Sequence, residues 1–228
     1  FLIYAIYSGC NIIISGKGAS GKTKLLRTLI NKIPENISIT ANEETAELFS
    51  NHPNIIQREI LQNRNEEKNI TLEQLTKQCL VMSNDAIVVG EIKGAEALSF
   101  LDAISTGHMG CDTIHSNNPE NTINRLCVLM KKDKQAILYT TQYLEKIIGT
   151  TLDIIIHMSN FKIVDIVEVY YDNKKEKIEL NYLYSLKKRN IINGKLYGDI
   201  CVINKPKYNV KEKINLNKKE IERILKRW

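Results

Sequence analysis

Gly16-Lys17-Gly18-Ala19-Ser20-Gly21-Lys22-Thr23 is the stretch whose reading decides the fold. It fits G-x-x-x-x-G-K-[ST], the P-loop pattern. The preceding residues, 11–15 (Asn-Ile-Ile-Ile-Ser), read as a short buried strand. Residues 24–32 read as a helix with Leu25, Leu26, Leu29 and Ile30 as its apolar positions, stopped by Pro34. Between a strand and a helix, the glycines let the backbone curl so that its N–H groups face a phosphate, and the helix N-terminus adds positive partial charge. Lys22 then reaches the β- and γ-phosphates, and the Thr23 hydroxyl ligates Mg²⁺. All eight residues from Gly16 to Thr23 are therefore expected to bind nucleotide, with ATP and Mg²⁺ as cofactors.

The bulk properties set bounds. At 228 residues and 43% hydrophobic content, the chain suits one large domain or one domain with a small appendage. No apolar run approaches the roughly 20 residues of a membrane helix. The start, Phe1-Leu2-Ile3-Tyr4-Ala5-Ile6-Tyr7, has neither a basic leader nor a cleavage site. We expect a chain cut from a longer protein, with Phe1 inside a helix. Cys10, Cys79, Cys111, Cys127 and Cys201 show no metal spacing and read as free thiols of a reducing compartment. The net charge of +6 is carried by residues 205–228, with nine Lys/Arg against three Asp/Glu; the rest is balanced. The core is thus not built as a basic surface for nucleic acid.

Working outward, residues 37–40 read as a second strand, and 51–69 as loop holding a short strand. Thr71 with Gln74 forms a capping box for a helix reaching about Met82. Residues 86–89 form a compact apolar strand ending at Gly90-Glu91, and 95–106 a helix. Residues 112–115 form another short strand. Asn118 caps the next helix with Pro119 at its first position, and 135–148 is a further helix closed by Gly149. From 153 onward the texture alternates as antiparallel strands, 163–171 and 177–186, around the Asp172-Asn173-Lys174-Lys175 turn. The expected fold is α/β: a mainly parallel sheet flanked by helices, with added antiparallel strands near the C-terminus.

A P-loop needs an acidic partner on a neighbouring strand. Glu91 sits at the end of the 86–89 strand, where open α/β sheets place their ligands, and can activate a water beside the γ-phosphate. Glu43 or Glu44, after the 37–40 strand, approaches the metal or water from another strand end; alternatively the acidic group simply starts a solvated helix. The metal is then held by Thr23, with Glu91 or Glu43 acting through water. His108 and His115 flank a short apolar strand. Either can bond a phosphate, although a lone histidine is more often structural.

At this point a pattern emerges. The P-loop is followed by Thr40-x-x-Glu43-Glu44-Thr45-Ala46-Glu47-Leu48, then Gly90-Glu91-Ile92-Lys93-Gly94-Ala95-Glu96-Ala97. Ser105-Thr106-Gly107-His108-Met109-Gly110 and Thr113-Ile114-His115-Ser116-Asn117 come after. This order resembles the type II/IV secretion-system ATPases, most of all the branch of tight-adherence (Flp-type) pili and conjugation-type secretion, over residues 11–168. The resemblance implies a RecA-like ATPase domain over 1–188, with 1–8 as the end of an N-terminal domain, and a basic extension over 189–228. It assigns Glu43 and Glu44 to an Asp box, Glu91 to Walker B as the catalytic glutamate, and His108 and His115 to a His box. It also implies a homo-oligomer, a hexameric ring. The ring would be cytoplasmic and peripheral to the inner face of the membrane, with secretion or pilus platform proteins as partners and no specific nucleic acid.

The chain departs from the family pattern in places. Val81-Met82-Ser83-Asn84-Asp85 lacks two arginines usual before Walker B. Lys93 replaces an arginine and loses its bidentate fork. The acidic pair is Glu-Glu, and Lys17 stands where glycine is usual. Arg125, Arg58 and Arg64 are the candidate arginine contacts, and Lys22, Glu43, Glu44 and Glu91 the candidate catalytic set. Ile221, Ile224, Leu225 and Trp228 form one face of a terminal helix, which docks on the domain itself or meets a membrane surface. The alternatives to an ATP-driven motor are a nucleotide-binding scaffold with weak hydrolysis and a P-loop small-molecule kinase.

Overall fold

The computed structural model describes residues 1–62 and 69–225. The elements run α1 (Leu2–Tyr7), β1 (Ile12–Gly16), α2 (Lys22–Ile30), β2 (Ile39–Glu43), β3 (Ile55–Glu59), α3 (Leu72–Cys79), β4 (Ala86–Ile92) and α4 (Glu96–Ser105). They continue with β5 (Met109–His115), α5 (Pro119–Met130), α6 (Thr141–Thr151), β6 (Ile154–Ser159), β7 (Lys162–Asp172), β8 (Lys177–Ile192), β9 (Lys195–Val202) and α7 (Asn209–Leu225).

The strands form one sheet in the order β3-β2-β4-β5-β1-β6-β7-β8-β9. From β3 to β6 every pair is parallel; β6 to β9 pair antiparallel. The parallel strands are apolar at nearly every position because both faces are covered. Ile12 and Ile14 pack on one face and Ile13 on the other, as do Ala86 and Val88 against Ile87 and Val89. Helices α1, α2 and α7 cover the first face and α3 to α6 the second. Each fully buried Ile or Leu contributes about 1.5–3 kcal/mol to this two-sided core.

Local chemistry sets several boundaries as expected. The Thr71 hydroxyl accepts the Gln74 N–H and the Gln74 side chain accepts the Thr71 N–H, closing the capping box of α3. Asn118 caps α5, with Pro119 at its start. Other boundaries differ. Gly149 does not end a helix but lies inside α6, which starts at the Thr140 cap. A side chain there would meet Tyr171 and Ile178 at 3.0 Å, so close helix–sheet packing requires the glycine. The antiparallel half also reaches beyond 188. Strand β8 continues to Ile192 and turns through Asn193-Gly194, both at positive φ, into β9. Asn-Gly is the residue pair that a two-residue hairpin favours.

The C-terminal helix docks on its own domain. Val210 and Ile221 are buried, and Ile214 packs against the same core as α1. Lys213 Nζ lies 2.6 Å from the buried Asp153 carboxylate. Trp228, expected on the same face, lies outside the described residues, and so does Arg64. Among the described residues no helix is long and apolar enough to cross a membrane. Cys10, Cys79, Cys111 and Cys127 are buried free thiols, and Cys201 is half-buried.

Candidate functional site

The loop after β1 wraps the N-terminus of α2 at the carboxyl ends of the parallel strands, the edge where open α/β sheets hold ligands. Two glycines are dictated by space and conformation. A Cβ on Gly16 would strike Met158 O at 2.5 Å and Ser20 Oγ at 2.6 Å. Gly21 caps α2 at φ +94°, in the left-handed region. Lys22 is buried, and its ammonium donates to the Lys17 carbonyl at 3.1 Å. Burial lowers its pKa, and Glu91 opposes that shift.

A cleft of about 260 Å³ opens above this loop. Gly18, Ala19, Lys22 and Thr23 form its floor; Glu43, Glu44, Thr45 and Glu47 line one wall, and Gly90, Glu91, Lys93 and His115 the other. The walls are built by register. Gly16 pairs with His115 at the end of β5, and β4 lies on the far side of β5. Glu91 is aimed by an irregularity in β4: Val89 pairs with Asp112 and Ile92 with Ile114, leaving Gly90 and Glu91 bulged. The Thr113 hydroxyl donates to Gly90 O at 2.7 Å. The fully buried Asp112 carboxyl accepts the Thr113 N–H, and the Ile92 N–H also faces it. Burial pushes the Asp112 pKa well up, opposed by these N–H groups and reinforced by Glu96 and Glu91. On the far side of the bulge, Glu96 accepts from Lys93 N at 2.5 Å and Gly94 N at 2.6 Å.

The charged groups in the cleft form a chain. His115 Nε2 lies 2.5 Å from Glu91 Oε1. Lys93 Nζ lies 3.0 Å from Glu91 Oε2 and 2.9 Å from Glu44 Oε2. Hydrogen bonds from these carboxylates, Glu44 first, raise the Lys93 pKa and keep it charged. Burial, then the Lys22 charge, lowers the His115 pKa, with Glu91 opposing. At neutral pH the imidazole is therefore a neutral donor to Glu91 rather than a second cation.

The two acids of β2 divide. Glu43, at the strand end, accepts from Glu47 N and Leu48 N, both at 3.0 Å, through Oε1. Its Oε2 is buried without a partner, and burial raises its pKa. Glu44 is the exposed member and holds Lys93. Among the described residues no cluster of three or more His, Cys, Asp or Glu is arranged to hold a metal ion. Thr23 and the unpartnered Glu43 oxygen offer hard oxygen donors in the same cleft. That set fits Mg²⁺, which takes one or two protein oxygens and completes its shell with phosphates and water.

Other expected residues fall elsewhere. His108 precedes β5 while His115 ends it, so about 20 Å of strand separates them. His108 Nδ1 lies 2.9 Å from Ala103 O and 3.2 Å from Thr106 Oγ1, at the opposite edge of the sheet. The two histidines thus do not form a pair in the cleft. Arg58 is occupied within its own chain, donating to Asn42 Oδ1 at 2.9 Å, Leu75 O at 2.7 Å and Gln78 Oε1 at 3.1 Å. Arg125 is exposed on α5, and its charge reaches His115. Sequence reading passed over Asp112 and Thr113. A carboxylate in the middle of an otherwise apolar strand was the available signal.

With this geometry in view, the comparisons decide the family. Residues 4–162 match the type II/IV secretion system protein family. The chain belongs to that family. It is 29% identical over 192 residues to the type IV secretion system protein VirB11 of Brucella suis biovar 1, covering 80% of this chain and 53% of that one. It is 31% identical over 157 residues to the protein VirB11 of Agrobacterium fabrum, covering 68% and 46%. The chain therefore spans about half the length of the relatives it matches. The crystal structure of the Brucella suis VirB11 ATPase in complex with sulphate superposes with a TM-score of 0.64 at 21% identity, over 94% of this chain and 53% of that one. The pilus retraction motor PilT with bound ADP gives 0.54 at 18% identity, over 97% and 56%. These likenesses confirm the fold: a RecA-like secretion-ATPase architecture with antiparallel strands added at the C-terminal side.

Proposed function

We propose that this chain is the ATP-hydrolysing domain of a ring-forming motor in a secretion or pilus-assembly system. The observation that carries this reading is the convergence of Lys22, Thr23, Glu43, Glu44, Glu91 and His115 on one cleft above the phosphate-binding loop. The N–H groups of the loop and the α2 N-terminus receive the β- and γ-phosphates, and Lys22 exchanges the Lys17 carbonyl for phosphate oxygens. Glu91 orients the attacking water and takes its proton, while His115 and Lys93 fix the carboxylate. When bound, Mg²⁺ neutralises charge on the phosphates; Thr23 and Glu43 are the residues that hold it.

The ring is a homo-oligomer, a hexamer, attached peripherally to the cytoplasmic face of the membrane and working on platform proteins there. Exposed Arg125, on the rim beside His115, is the arginine placed to act across a subunit boundary. The sheet through β9 forms one ATPase unit, with α7 as its basic extension.

The test uses the full-length protein. Lys22→Ala is expected to abolish ATP binding, and Glu91→Gln to retain binding while lowering turnover at least about 100-fold. Undiminished turnover in Glu91→Gln would remove Glu91 as the base. One observation favours a second reading, a nucleotide-binding scaffold. Both Glu91 oxygens are engaged by Lys93 and His115, which holds the carboxylate away from water. Tight ATP binding by an assembled ring without turnover would establish that reading.

A further inference from the structure

The phosphate cleft occupies the β4 and β2 side of the loop, because those strands contribute its walls. On the other side of β1 the sheet continues into β6 and β7. There a second cleft of about 280 Å³ abuts the same loop, formed by Gly21, Lys24, Leu25, Met158, Phe161 and Ile163. Phe161 is its unusual member. With Asn160 it makes the two-residue turn between β6 and β7, and both residues have positive φ, +47° and +60°. Such turns favour glycine at the second position. A bulky residue there is strained, and strain of this kind concentrates at ligand sites. The ring is also 70% exposed, so burial in the core does not explain it.

The turn is nonetheless fastened to the loop. The Phe161 N–H donates to Ser20 O at 3.1 Å, and the ring edge lies where a Cβ on Gly21 would meet it at 3.0 Å. The Thr28 hydroxyl, at the far end of the cleft, is turned back onto Lys24 O at 2.9 Å, which leaves an apolar lining. A strained, exposed aromatic ring is thus held rigidly beside the phosphate loop, opposite the catalytic acids.

We infer that this second cleft is the nucleoside site and that Phe161 is the platform on which the base of the bound nucleotide lies. The inference rests on the nucleotide reading above and adds the orientation. The triphosphate crosses the loop with its terminal phosphate toward Glu91 and its base toward β6 and β7. Met158, Leu25 and Ile163 complete an apolar slot for a planar ring. Stacking of this type recognises the face of a base and is worth about 10-fold in affinity, or ~1.4 kcal/mol.

Phe161→Gly separates the roles. Glycine relieves the turn, so the variant is expected to melt at or above the wild-type temperature while its Kd for ATP and ADP rises about 10-fold. Its Kd for inorganic tripolyphosphate, which has no base, stays unchanged. Phe161→Trp is expected to keep wild-type ATP affinity, with its fluorescence quenched as ATP binds. Unchanged ATP affinity in Phe161→Gly would overturn the platform, as would an equal loss for tripolyphosphate. Wild-type protein that binds neither ATP nor tripolyphosphate would overturn the nucleotide reading itself, and this inference with it.

Discussion

Thr113→Val tests whether the bulge in β4 is what aims Glu91. The substitution keeps the side-chain shape and removes only the hydroxyl that donates to Gly90 O at 2.7 Å. Thr113 is buried and Gly90 half-buried, so the carbonyl loses its partner with little access to water. A buried group left unpaired costs about 1–3 kcal/mol; half-burial places this one at about 1–2. For a chain of this size that lowers the melting temperature by about 2–6 °C. Turnover should fall further than stability does. Gly90 and Glu91 are the two bulged residues, and a displacement of about 1 Å at a reacting group costs on the order of 100-fold. We expect kcat of the full-length protein to drop between about 10- and 100-fold. KM for ATP should stay within about threefold, because Lys22 and the loop are untouched. Thr113→Ser, which restores the donor, should recover most of kcat. Steady-state ATP hydrolysis beside thermal melting reads both quantities. A variant that loses stability but keeps wild-type kcat would refute the idea that this hydrogen bond positions the glutamate.

Two further outcomes follow from buried carboxyls. Burial raises the Asp112 pKa well above its ordinary 3.8, so the folded protein holds a proton there that the unfolded chain releases. The associated stability is complete below that ordinary value and is lost as pH rises through the folded one. Asp112→Asn, neutral throughout, should flatten the fall of melting temperature with pH above about 4; superimposable pH profiles would contradict this assignment. Glu168, fully buried, accepts Lys207 N at 3.0 Å, Tyr208 N at 2.9 Å and Asn181 Nδ2 at 2.8 Å, and so fastens the start of α7. Glu168→Ala should cost about 2–3 kcal/mol and expose the lysines of α7 to trypsin, with unchanged cleavage rates as the contrary result.

The legible parts of the chain were those written in short stretches. The loop from Gly16 to Thr23, the Thr71 and Asn118 caps and the apolar strand cores each depend on neighbours within a few residues. The Asn193-Gly194 turn was equally local, yet it was read as part of a basic tail. Composition masked it, because β8 and β9 are rich in lysine on their exposed ends. Glu91 was found at a strand end, but the strand in fact runs on through it. Only pairing with β5 shows the bulge, since a bulge is defined by two strands together.

The sequence alone determined that this protein carries a phosphate-binding loop within an α/β sheet, with Glu43, Glu44 and Glu91 as the available acids. Turn conformation, helix capping and strand periodicity are local, so residue identity suffices for them. The tertiary structure alone decided which groups meet. It brought His115 to Glu91 and left His108 at the opposite edge of the sheet, linked Lys93 to Glu44, and set Phe161 beside Gly21. Those distances depend on strand order and register across residues far apart in the chain, which no local pattern encodes.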